Sequence, residues 1–141
     1  MAKGRLKKRL PDEGGPRISA HHSSSSSTDG LQPCFSLHLM AVNSKYCLSK
    51  CTVEERAAFA SRIREMSQLT WIAIKGSPRH GQGCEEIRPK QIRSPIPTEV
   101  SPDVTFMAFR CIGKAPMVGY RDGRTFHIIW IDRDFSLYRH S

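Results

Sequence analysis

The sequence contains no run of about 20 apolar residues, the length needed to cross a bilayer as a helix, which excludes a membrane-spanning segment. Acidic residues are also scarce, 13 Asp and Glu against 22 Lys and Arg, for a formal charge of +9. The imbalance is spread along the chain: residues 1–30 carry +3 and residues 31–141 carry +6. A basic tail alone would be a solubility feature. An excess on the folded part as well favours a polyanionic partner such as RNA, DNA or an acidic protein.

Cysteine occurs five times, at positions 34, 47, 51, 84 and 111, without a CxxC pair. Cys34-x3-His38 and Cys47-x3-Cys51 supply donors that zinc accepts, but their spacing is wider than a zinc knuckle and Cys34–His38 lies in a strand-like segment. No metal and no cofactor is therefore expected. The charged stretch Arg5–Leu10 is not followed by an apolar run of signal-peptide length. The expectation is a reducing, cytoplasmic setting with free thiols.

Residues 1–30 read as a disordered tail: MAKGRLKKRL is basic, PDEGGP carries turn residues and HHSSSSSTDG has nothing apolar to bury. Residues 31–141 read as a single domain, long enough to fold without disulfides or metal. The domain is organised around its last third. Val104–Ile112, Pro116–Arg121 and Thr125–Asp132 are rich in aromatic and β-branched residues and are separated by Gly113-Lys114-Ala115 and Asp122-Gly123, the pattern of an antiparallel meander. A two-residue Asp-Gly loop would set Arg121 opposite Arg124, Gly119 opposite Phe126 and Val118 opposite His127. Strict alternation then puts Phe126, Ile128 and Trp130 on one face, and His127, Ile129 and Ile131 on the other.

Upstream, Cys34–Val42 is apolar enough for a first strand with Phe35, Leu37 and Leu39 on one face. Thr52-Val-Glu-Glu55 is a capping box, opening a helix to about Gln68 whose Phe59–Ile63–Met66 stripe, flanked by Ala57 and Ala60, faces the core, while Glu54, Arg62 and Glu65 face away. Thr70 caps a shorter helix through Trp71–Lys75, ended by Gly76. Cys84–Ile87 reads as a short strand, and Ser94–Asp103, with three prolines, as a surface excursion. The fold class is α+β: two N-terminal helices packed on a twisted, mainly antiparallel sheet of four to five strands.

Two groups of residues carry chemistry. Lys75, Arg79, His80, Arg88, Lys90 and Arg93 lie among Gly76, Gly81 and Gly83, where backbone amides and forked donors can approach a phosphate, though the GK[ST] end of a Walker loop is missing. Arg121 opposite Arg124 is a like-charge pair that costs stability unless an anion sits between them; Asp122 or a phosphate could supply it, a phosphate making Arg124 a further contact, and the plainer alternative is that the two side chains splay apart at the loop tip. The second group is the close of the chain. Asp132-Arg133-Asp134 is followed by Tyr138 and His140, so two carboxylates, a phenol and an imidazole fall within nine residues. Cleavage of RNA at a 2′-hydroxyl needs a base, an acid and cations for the phosphorane. His140 fits as acid or base, Arg110 or Arg121 as phosphate clamp and Tyr138 as acid or stacking platform. The plainer alternative pairs both aspartates with Arg133, packs Tyr138 and leaves His140 frayed.

The order strand, helix, helix, short strand, three-strand meander, over roughly residues 34–140, resembles the small basic toxins of the RelE/ParE/HigB superfamily. The closing GYRDG, FHIIWIDRDF and LYRH also resemble the endings of small uncharacterised bacterial proteins. The toxin resemblance implies helices on a twisted antiparallel sheet, and in many members a metal-independent endoribonuclease that cuts messenger RNA on the ribosome and is restrained by a cognate antitoxin; the ParE branch acts instead on DNA gyrase. It further implies basic side chains on the sheet and an acid/base or aromatic residue near the end of the last strand, to which Arg110, Arg121, Tyr138 and His140 answer. The loop Pro89–Asp103 and the N-terminal tail are extra to that pattern. The alternative expectation is a non-catalytic basic module that binds nucleic acid or a protein through the same sheet.

Overall fold

A computed structural model describes residues 28–42, 44–78 and 84–140. Most of the expected tail, together with Arg79 and His80, lies outside the described residues. The packed chain starts ahead of Leu31, because Thr28 is already buried and Asp29 already paired.

Five strands form one sheet: β1 (Cys34–Ser36), β2 (Glu85–Ile87), β3 (Phe106–Ile112), β4 (Ala115–Asp122) and β5 (Thr125–Ile131), in the order β1-β5-β4-β3-β2. Among the described residues only the β1–β5 pair is parallel. The first strand is shorter than its apolar content suggested. Ser36 Oγ accepts from the His38 amide and a turn closes from Leu37 to Met40, which leaves Leu37 42% exposed.

Two helices, α1 (Val53–Ser67) and α2 (Trp71–Lys75), cover one face of the sheet. Thr52 Oγ1 accepts from the Glu55 amide at 3.1 Å, and the Glu55 carboxylate accepts from the Thr52 amide at 2.8 Å, which satisfies donors that a helix start leaves open. Phe59 and Met66 are buried against Phe109, Met117, Phe126 and Ile128, with Ile63 packed beside them. The stripe is narrower than expected, since Ala57 and Ala60 are exposed. Arg62 faces the sheet instead of solvent: its Nε donates 2.8 Å to the Arg110 carbonyl on β3.

The other face has a cover of its own. Ile87, Phe106, Ala108, Val118, Ile129 and Trp130 pack against Val100, Leu137 and Tyr138, with Ile92, Ile96 and Val104 at the margin. The proline-rich excursion thus lies over a second core, and the segment after β5 folds back onto the same face.

The β4–β5 register differs from simple counting by two residues, because the loop sits one residue further along the chain. Asp122 pairs Thr125, Arg121 pairs Phe126, and Gly123-Arg124 form the turn, with φ +63° at Gly123. A glycine first among the two loop residues matches the twist of the flanking strands. The ladder then shifts between Val118↔Trp130 and Gly119↔Ile128, so Ile129 is an extra residue. This bulge moves Trp130 to the face opposite Phe126 and Ile128. Gly119 is what permits it: a Cβ there would stand 1.8 Å from the His127 carbonyl oxygen. The atoms nearest that position belong to the backbone of His127 and Ile128.

Candidate functional site

The site is built where β5 ends. Asp132 follows the last ladder residue and donates its amide to the Pro116 carbonyl at 2.9 Å, while its side chain is fully buried. Oδ1 accepts from the amides of Ser136 at 2.9 Å and Leu137 at 3.2 Å, bending the chain back over the sheet. Oδ2 lies 2.9 Å from Nε2 of His140. His140 is therefore anchored, not frayed, and Tyr138 stacks on it with ring centroids 4.0 Å apart.

Asp132 does not pair with Arg133. Arg133 reaches across to Glu55 at 2.8 Å and holds its carboxyl below the usual range, with the Thr52 amide adding to the effect. Asp134 accepts from Ser136 Oγ at 2.6 Å and meets Lys45 at 3.5 Å, and these contacts, Ser136 first, lower its pKa. The acidic pair of the sequence thus divides into a buried anchor and a surface partner.

A cleft of about 160 Å³ opens beside His140, lined by Glu85, Ala108, Arg110, Lys114, Pro116, Phe135, Tyr138 and His140. Each residue has a clear origin in the fold. Glu85 shares the Ile87 side of β2, Arg110 the Ala108 side of β3, and Lys114 sits in the β3–β4 turn. Tyr138 is 2% exposed and its hydroxyl donates 3.4 Å to Glu85 Oε2, linking the last segment to β2. Two cations, a carboxylate and an imidazole held by a buried carboxylate thus border one small space. Such a set can bind a phosphate and exchange protons with it.

Of the four residues expected to share one centre, the structure gathers Arg110, Tyr138 and His140. Arg121 lies on the helix face, across the sheet. Its guanidinium stacks 4.3 Å over Trp71, meets Asp29 Oδ1 at 2.6 Å and Thr28 Oγ1 at 3.0 Å, and is only 9% exposed. Lys75 meets the other Asp29 oxygen at 3.0 Å. The anion expected near Arg121 is therefore a carboxylate of this chain, and Arg124 stands in the turn, donating to the Gln32 carbonyl at 3.0 Å. Arg88, Lys90 and Arg93 are exposed along the β2–β3 connection. The Arg93 amide donates 2.7 Å to the Leu137 carbonyl, which places that stretch beside the closing segment.

Glu85, Lys114 and Phe135 were missed by reading the sequence. Lys114 had a signal: its position in a hairpin turn a few residues past Arg110 implies proximity. Glu85 had none, because its place depends on a long-range pairing of β2 with β3.

Among the described residues the cysteines form no disulfide. Among the described residues no group of three or more His, Cys, Asp or Glu side chains is placed to hold a metal, nor is any helix long and apolar enough to cross a membrane. Burial pushes the Cys111 thiol up to about 12, the Cys51 thiol adding to the shift. The chain matches no protein-family model, no curated protein and no solved structure.

Proposed function

We propose that this protein is a toxin-like endoribonuclease that cleaves RNA by general acid–base chemistry at the cleft between β2, β3 and the closing segment. The observation that carries the reading is the 2.9 Å contact between Asp132 and His140 at the rim of a cleft that also holds Arg110, Lys114 and Glu85. A carboxylate only accepts hydrogen bonds, so Nε2 of His140 carries the proton toward Asp132 and Nδ1 is the nitrogen left to exchange one. In the reaction, a base removes the proton of the 2′-hydroxyl and its oxygen forms a bond to phosphorus. The bond from phosphorus to the 5′ oxygen breaks, and an acid protonates the leaving oxygen. His140 and Glu85 are the pair suited to these two transfers, with Arg110 and Lys114 on the phosphorane charge. The element order shared with RelE-like toxins supports the same reading and adds ribosome-bound messenger RNA and a masking antitoxin as expected partners.

A second reading, a non-catalytic module binding RNA or a protein partner, is favoured by one feature. Tyr138, the other candidate acid, is buried with its ring and hydroxyl both engaged. One experiment separates the two. Purified protein is incubated with single-stranded RNA in EDTA and, separately, with messenger RNA on ribosomes in magnesium buffer, each beside His140→Ala. Products ending in 2′,3′-cyclic phosphate, absent with the variant, support cleavage. RNA that is bound with steep salt dependence yet left intact overturns it in favour of the module.

A further inference from the structure

Phe135 combines three properties that packing alone does not account for. It is 45% exposed although it borders the cleft. Among the described residues it is the one non-glycine with positive φ, +59°, a conformation that a bulky side chain rarely adopts. Its ring stands edge-on to His140, centroids 5.1 Å apart and planes at 84°.

The backbone around it is fixed from both sides. Asp132 Oδ1 holds the Ser136 and Leu137 amides, and Ser136 Oγ is shared between Asp134 and Tyr46. The Leu137 carbonyl accepts from Arg93. A strained residue persists only where its surroundings over-determine it, and here they hold an aromatic ring half in solvent. Burial does not repay that strain.

We infer that Phe135 is a stacking platform for an unpaired base, so that the substrate class is single-stranded RNA with one base laid on Phe135 and the adjoining phosphate between Arg110 and Lys114. This rests on the RNA reading of the cleft. Every base offers a π-face, so stacking favours unpaired strands without selecting sequence. A paired base has its faces covered by neighbours and cannot use the ring.

The test uses the full chain and a short single-stranded 2′-fluoro RNA, which cannot be cleaved, carrying one 2-aminopurine, together with its duplex. Binding to the wild type and to Phe135→Trp is expected to quench the fluorescence. Phe135→Ala is expected to lose the quench and to bind the single strand about 10- to 100-fold more weakly. Equal affinity and quench for Phe135→Ala, or equal affinity for duplex and single strand, overturns the platform. If Lys114→Ala still weakens binding in that case, the RNA reading survives without it. If the wild type binds neither RNA at low salt, the RNA reading fails and the platform falls with it.

Discussion

Nε2 of His140 stands 2.9 Å from Oδ2 of Asp132, a carboxylate with no exposed surface whose other oxygen binds two backbone amides. One side chain thus fixes both the path of the closing segment and the tautomer of the imidazole. These two duties can be separated. In Asp132→Asn the amide oxygen can still accept from Ser136 and Leu137, while its NH2 group turns Nε2 into an acceptor and moves the ring proton to Nδ1. The fold is expected to lose no more than about 2 kcal/mol, whereas RNA cleavage should fall by a factor on the order of 10² to 10⁴. Urea unfolding and single-turnover cleavage measure the two effects. A well-folded variant with unchanged rate would remove His140 from the proton transfers.

Arg110 and Arg121 looked alike in the sequence and occupy opposite faces of the sheet. Arg110→Ala keeps the carbonyl that accepts from Arg62 and should lower the salt slope of RNA binding by about one. Arg121→Ala removes the partner of Asp29 and the cation over Trp71, costing about 1–3 kcal/mol without altering that slope. Filter binding at several salt concentrations, paired with unfolding curves, checks both. A reversed pattern would move the nucleic-acid surface to the helix face.

Local signals carried most of the elements. Thr52 with Glu55 marked a helix start that the structure reproduces in both hydrogen bonds, and Thr70 with Gly76 bounded the next helix. What could not be read locally depended on distant backbone. The one-residue bulge at Ile129 arises from how Gly119 meets the carbonyl of His127, and alternation by itself assigns Trp130 to the wrong face. Asp29 looked like part of a featureless tail because its partner Arg121 is far along the chain. The same holds for the site: Tyr138 and His140 were visible as residue types, but the bend that Asp132 imposes, and hence the cleft, follows from two amide contacts with no sequence signature.

The bulge offers a direct test of this account. Gly119→Ala puts a methyl group 1.8 Å from the His127 carbonyl oxygen, so the ladder must shift, at an expected cost above about 3 kcal/mol. Gly113→Ala is the control. Gly113 has φ +58° and open space around its Cβ position, so alanine there carries only the left-handed strain of about 1–2 kcal/mol. Urea midpoints compared across the pair should fall in that order; equal losses would mean that β4 and β5 do not meet through this bulge.

Asp29 gives the start of the packed chain a pH dependence whose sign follows from its partners. The Arg121 guanidinium first, and the Lys75 ammonium second, hold its carboxyl below the usual range. A depressed folded pKa contributes stability that is complete above the unfolded value of about 3.9 and is lost as pH falls through the lower folded value. Wild type should therefore be more stable than Asp29→Asn at neutral pH, and the difference should close below about pH 4. Added salt should shrink the Lys75 part most, because that side chain is 51% exposed and screened, whereas Arg121 is shielded against Trp71. Urea unfolding of both proteins between neutral and acid pH, at low and high salt, tests this. A gap that persists unchanged into acid would mean that Asp29 acts by shape and hydrogen bonding, not by charge.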